Sequence, residues 1–163
     1  MLFRSDNGFM WGEHRLGGKL WPYEESIRVP LVIRVPWMHT GRVDRHMVLN
    51  VDLASTITRL AGVTPGLPQD GRSLLPLLQG RSPAWRDEFL EEYLGENMLA
   101  DAGPPPFQAV RTKRWVYVEY RNGWRELYDL ATDPYELVNR VEDPTFAAVR
   151  QRLRARLHAL EQT

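Results

Sequence analysis

Three consecutive prolines, Pro104–Pro106, divide this sequence into stretches that obey different rules. Proline locks φ and supplies no amide donor, so neither a helix nor a central strand runs through such a segment. Up to about residue 95 short β-rich runs alternate with helical ones. Beyond the prolines the period becomes that of strands broken by tight turns. The pattern predicts an α/β portion, residues 1–95, followed by a smaller unit, 96–163, of antiparallel strands with a C-terminal helix.

Leu2 and Phe3 read as the end of a buried strand whose beginning lies outside the sequence. It opens into a loop, Asp6–Trp21, punctuated by glycines. Pro22 suits a first helical position, so Tyr23–Ile27 is expected to form one helical turn. VPLVIRVP then fits a strand buried on both faces, and 37–46 a surface loop. Asp52 is expected to cap a helix carrying Leu53, Ile57, Leu60 and Ala61 on one face, stopped at Gly62. RSLLPLLQG fits a short apolar helix, and DEFLEEYLG a strand. In the second unit, FQAVRTKRWVYVEYRNGWRELYDL predicts three antiparallel strands with Asn122–Gly123 at the second turn. Asp143–Pro144 starts a helix whose apolar face is Phe146, Val149, Leu153, Leu157 and Leu160.

Charge narrows the function. Lys+Arg and Asp+Glu both number 21, so the net charge is zero and no electrostatic argument favours nucleic acid or an anionic membrane. The arginines of RQRLRAR read as the wet face of the last helix. With no cysteine among the 163 residues, disulfides and thiolate metal sites are excluded. No apolar run approaches the roughly 20 residues of a membrane span.

The chemistry concentrates in SDNGFMWGEHRLGGKLWPYEES. Asp6 and Asn7 offer neighbouring carboxylate and amide oxygens at the C-terminal end of a strand, the edge where open α/β sheets bind ligands. Such oxygens suit a hard cation, Ca²⁺ or Mg²⁺, although Ca²⁺ requires 6–8 of them. Lys19 follows across a glycine-bearing loop. A lysine beside a divalent cation makes sense when both address an anion such as a sulfate or phosphate oxygen. Asp-Asn-Gly is also an ordinary turn, and a loop lysine or histidine is ordinarily solvated or bonded locally. His39, His46 and His158 show no ligand spacing. Trp11 and Trp21 flank the polar loop and could line a substrate rim.

The order of these motifs resembles type I sulfatases of the alkaline phosphatase superfamily: S-D-N-G, then G-E-H, then Lys19, then Y-E-x-S and V-P-L. The resemblance continues through VDLASTITRLAGV, with Ser55 in place of the usual proline, through DGRSLLPLLQG, and into RELYDLATDPYELVN. It implies the C-terminal part of the alkaline-phosphatase-like α/β fold and hydrolysis of sulfate esters around a divalent cation, usually Ca²⁺. By position, Asp6 and Asn7 match the metal-binding pair and Lys19 the lysine that contacts sulfate. His14 matches a neighbour of the leaving group, and Tyr23, Glu24 and Ser26 match loop architecture. The C/S-x-P-x-R motif that becomes formylglycine, the family's nucleophile, does not occur in the sequence. The resemblance therefore implies a C-terminal portion that is inactive alone and associates with itself or with a complementary N-terminal half. A sulfate-ester small molecule or sulfated sugar is the implied substrate. Phosphonate or phosphate ester hydrolysis, and a non-catalytic binding remnant, are the alternatives. Cellular location is not legible.

Overall fold

The computed structural model describes residues 1–39, 41–95 and 103–162. The junction expected from residue 96 onward lies outside them as far as residue 102. Two compact units emerge, neither continuous in sequence: Met1–Asp6 with Val32–Asp87, and Asn7–Leu31 with Glu88–Thr163.

In the first unit, β1 (Leu2–Arg4) pairs with β4 (Leu31–Ile33), which begins at the unit boundary. The Arg34 amide continues the pairing by donating to the Met1 carbonyl at 2.8 Å. Val32 and Phe3 remain largely exposed among the described residues, so the expected burial on both faces is not provided by this pair. Helix α2 (Asp52–Ala61) ends at Gly62, whose φ of 66° lets the Gly62 and Val63 amides turn back onto the Arg59 and Thr58 carbonyls. Leu53 is buried, whereas Ile57 and Leu60 of the predicted apolar face are exposed.

Asp52 is not the helix cap its position suggested. Its carboxylate is fully buried and accepts the Leu49 amide at 2.8 Å, the Arg72 amide at 2.7 Å and Arg86 Nη2 at 2.7 Å. A buried carboxylate is tolerable only when its lone pairs are satisfied, and a guanidinium plus two backbone donors does that better than a helix N-terminus in water. The short helix α3 (Leu75–Leu78) buries Leu77, and Leu74 just before it donates its amide to the buried Thr56 hydroxyl at 2.8 Å.

The second unit is built on an antiparallel sheet, β5 (Glu88–Tyr93), β6 (Phe107–Thr112), β7 (Trp115–Tyr120) and β8 (Arg125–Asp129), in that spatial order. Asn122–Gly123 forms the β7–β8 turn, with Gly123 at φ 89°. The strand expected at DEFLEEYLG forms, and it joins this sheet, with Leu90 opposite Val110. Strand β7 is apolar on both faces because both are covered. On one side, helix α4 (Ala147–Leu160) packs Leu153 and Leu157 against Val110, Trp115, Tyr117 and Leu127. Asp143 accepts the Thr145 amide at 2.9 Å and opens the turn that leads into that helix. On the other side, Met10 and Tyr23 pack with Phe107, Ala109, Val116, Val118, Tyr120 and Tyr128. The N-terminal polar loop is thus the second cover of the C-terminal sheet.

Candidate functional site

That loop is a small hairpin. Strand β2 (Met10–Trp11) pairs with β3 (Gly17–Gly18), with Met10 opposite Gly18. Met10 is completely buried, which anchors the hairpin by its apolar side. His14 lies at the tip and Lys19 follows β3 directly, exposed to solvent. His14 has φ 53° and Arg15 φ 61°, two consecutive side-chain-bearing residues in the left-handed region. The His14 ring stacks on Tyr23 with centroids 4.0 Å apart and planes 8° apart. Its Nε2 is buried without a hydrogen-bond partner among the described residues.

Upstream, the Asn7 amide nitrogen donates to the Gly8 carbonyl at 2.7 Å, which makes Oδ1 the end of the amide suited to a cation. Gly8 is required for close approach: its amide donates to the Ser26 carbonyl at 2.8 Å, and a Cβ there would stand 1.9 Å from the Glu25 carbonyl oxygen. Asp6, which belongs to the first unit, is exposed, and its backbone carbonyl accepts Asn50 Nδ2 at 2.6 Å. Asn7, His14 and Lys19 belong to the second unit. Among the described residues no group of three or more His, Asp or Glu side chains is arranged to hold a metal ion.

Downstream of Lys19, helix α1 (Glu24–Ile27) is fastened to the sheet by residues far away in sequence. Glu136, itself buried at φ 55°, accepts the Glu24 amide through Oε2 at 2.8 Å, and Arg111 on β6 donates through Nε to Glu24 Oε1 at 2.8 Å. The Tyr23 hydroxyl donates to Glu126 at 3.2 Å, and burial pushes that phenol far above its usual range. Both Glu91 oxygens and Glu136 Oε1 are shut away from solvent without partners among the described residues. Burial is the main cause that pushes Glu91 and Glu136 each up to about 8; for Glu91 the neighbouring Glu136 charge adds to it, for Glu136 the charges of Glu24 and Glu25. None of these carboxylates was singled out by sequence reasoning as a site residue. Glu136 sits in the quoted DPYELVN run, and its left-handed backbone is invisible there.

Comparison with known proteins matches this arrangement to a family. Residues 12–163, including the hairpin tip, Lys19 and the whole C-terminal sheet, match the family described as N-sulphoglucosamine sulphohydrolase, C-terminal. The chain belongs to the sulfatases. It is 40% identical over 170 residues to the N-acetylglucosamine-6-sulfatase of Homo sapiens, covering 85% of this chain and 31% of that protein. It is 35% identical over 147 residues to the choline-sulfatase of Rhizobium meliloti, covering 88% and 27%. Two solved structures superpose over 99% of this sulfatase chain. One was solved with its substrate D-glucosamine-2-N,6-O-disulfate, at TM-score 0.87, 31% identity and 33% of that chain. The other is the phosphonate monoester hydrolase of Agrobacterium radiobacter, at TM-score 0.86, 32% identity and 34% of that chain. The fold is the C-terminal part of the alkaline-phosphatase-like sulfatase fold, with a small antiparallel sheet and a C-terminal helix. The chain spans about a third, or less, of the length of these relatives.

Proposed function

We propose that this chain supplies the C-terminal share of a site that hydrolyses sulfate esters. The observation that carries the reading is that one anchored hairpin holds His14 at its tip and Lys19 directly after its second strand, within a stretch that matches sulfatases in order and in fold, with Asn7 three residues before its first strand. Asp6 and Asn7 are the proposed ligands of a Ca²⁺ ion, or of Mg²⁺ or another divalent cation, through carboxylate and amide oxygens. The bound cation would neutralise charge on the sulfuryl oxygens. Lys19 places an ammonium against the same sulfate group, where it stabilises the charge that grows on the ester oxygen as the bond breaks. His14, fixed by its stack on Tyr23, is the proposed neighbour of the leaving alcohol. Formylglycine, the family's nucleophile, belongs outside these 163 residues, so the chain by itself binds without turnover. A complementary N-terminal half or a second copy is the proposed partner.

A second reading has its own support. The phosphonate monoester hydrolase of Agrobacterium radiobacter superposes as well as the sulfated-glucosamine complex does, so phosphonate or phosphate esters are the competing substrates. Amide spectra of the chain titrated with sodium sulfate, with and without CaCl₂, test the proposal. The expected outcome is a saturable, Ca²⁺-dependent shift of the 17–20 amides that Lys19→Ala removes. Shifts that ignore Ca²⁺ and survive Lys19→Ala would overturn it. Tighter binding of a phenylphosphonate monoester than of p-nitrophenyl sulfate would move the assignment to the second reading.

A further inference from the structure

Lys19 follows a glycine pair, Gly17 and Gly18, with Gly18 at φ 96°. Its own side chain is exposed and has no partner among the described residues. Two glycines leave the adjoining backbone free to sample many conformations, so whatever fixes the ammonium must come from outside that pair. Three contacts supply it. The pairing of β2 with β3 sets Met10 opposite Gly18, and Met10 is buried against the C-terminal sheet. The Trp21 indole N–H donates to the Gly17 carbonyl at 3.2 Å, a bond that spans Lys19. Tyr23, four residues after Lys19, carries the His14 ring on its face at 4.0 Å.

The two aromatic contacts differ in kind. Trp11, on the same hairpin, is 83% exposed, whereas Trp21 is half-buried and turns its one donor inward onto the main chain. An indole N–H bonded to a carbonyl four residues back closes a small ring of backbone with Lys19 inside it. Tyr23 closes a larger one, from the hairpin tip to the start of α1. His14 and Arg15 both hold left-handed backbone, which persists only where surrounding contacts over-determine it. The Tyr23 ring supplies such a contact and is itself held from below. Its hydroxyl donates to the buried Glu126 at 3.2 Å, and Tyr128 meets it edge-on with centroids 6.2 Å apart. Strand β8 thereby reaches the hairpin tip through one phenol.

We infer that Trp21 and Tyr23 are positioning residues for Lys19, holding its backbone in one place before an anion arrives. The inference rests on the reading that Lys19 addresses the sulfate group. An ammonium already in place meets the anion without the ordering cost that a mobile one carries, which raises affinity with no contact added. Neither ring needs to touch the ester. Trp21 acts through the Gly17 carbonyl, and Tyr23 acts through His14 and the hairpin tip.

The test is ¹⁵N relaxation of the purified chain without any anion, followed by titration with sodium sulfate in CaCl₂. Wild type should give the Lys19 amide an order parameter of about 0.85, that of rigid backbone. Trp21→Phe keeps an aromatic ring and loses the N–H; Tyr23→Leu loses the stack. Each should lower the value toward the ~0.6 of flexible backbone, while the amides of Val118 and Leu153 stay rigid. Tyr23→Phe retains the stacking face and should keep Lys19 rigid. Sulfate affinity should fall about three- to tenfold in Trp21→Phe and Tyr23→Leu and stay at the wild-type level in Tyr23→Phe. A mobile Lys19 in wild type, or one as rigid in Trp21→Phe or Tyr23→Leu as in wild type, would overturn the inference. Order lost equally at Val118 and Leu153, or sulfate affinity unchanged where Lys19 has become mobile, would overturn it too. If wild type shows no Ca²⁺-dependent sulfate binding while the order parameters change as expected, the sulfate reading fails and the positioning of Lys19 stands.

Discussion

Replacing Glu91 by Gln removes one of two carboxylates that the second unit buries without enough partners. Glu91 on β5 faces Glu136, Glu24 and Arg111, and Glu136 faces Glu24, Glu25 and the same Arg111. The Arg111 guanidinium offsets part of the negative charge at both acids, yet burial with the neighbouring carboxylates pushes Glu91 and Glu136 each up to about 8. A carboxyl whose folded pKa is raised binds more protons folded than unfolded. Its contribution to stability is complete below the unfolded value of 4.5, falls as pH rises, and is lost by about pH 8. At 1.36 kcal/mol per pH unit the interval for one such group is worth at most ~5 kcal/mol. Relaxation and water entry around the charged form reduce this, so about 2 kcal/mol is the expected loss between pH 5 and 8. Urea unfolding of wild type and Glu91→Gln at half-unit pH steps measures it. The variant should show a shallower decline and equal or exceed wild type at pH 8, because the amide cannot ionise and no longer opposes Glu136. The acids whose pKa values are lowered, Asp129 and Glu119 among them, keep their full contribution above pH 5 and cancel between the two proteins, so the difference reports Glu91 together with its coupling to Glu136. Parallel pH profiles, or a wild type that gains stability from pH 5 to 8, would refute the reasoning.

Other changes follow from the same contacts. Arg86→Ala leaves the buried Asp52 carboxylate without its guanidinium and should cost about 3–5 kcal/mol in urea unfolding, whereas exposed Arg28→Ala should cost under ~1 kcal/mol. Gly8→Ala forces a methyl group onto the Glu25 carbonyl and should destabilise by about 1–3 kcal/mol while weakening Ca²⁺-dependent sulfate binding, read from the same amide titration. Leu157→Ala empties a fully buried position between α4 and the sheet and should cost about 2–5 kcal/mol by thermal or urea unfolding.

What the sequence disclosed was local, or carried by motif order. The β7–β8 turn is written in Asn122–Gly123, and helix α4 in the spacing of Leu153 and Leu157, because both depend on neighbours within a few residues. The order of Asp6, Asn7, His14 and Lys19 exposed the family. Long-range partners stayed hidden. Glu24 finds Glu136 across 112 residues and Arg111 across 87, and no periodicity encodes such a choice. Asp52 looked like a cap because Asp before a helix usually is one; only the approach of Arg86 reveals a buried ion pair. The apolar run WVYVEY did hold a clue that both faces of β7 would be covered. That Met10 and Tyr23 would be among the covering residues could be learned only from the folded chain.

The measurement closest to the central claim is hydrolysis of p-nitrophenyl sulfate by the endogenous protein, immunopurified from its own cells through helix α4 and compared with the same protein carrying Lys19→Ala. The expected result is turnover of the ester by the endogenous protein, reduced about 10²–10³-fold by the substitution. Turnover of the ester that is indifferent to Lys19→Ala would contradict it.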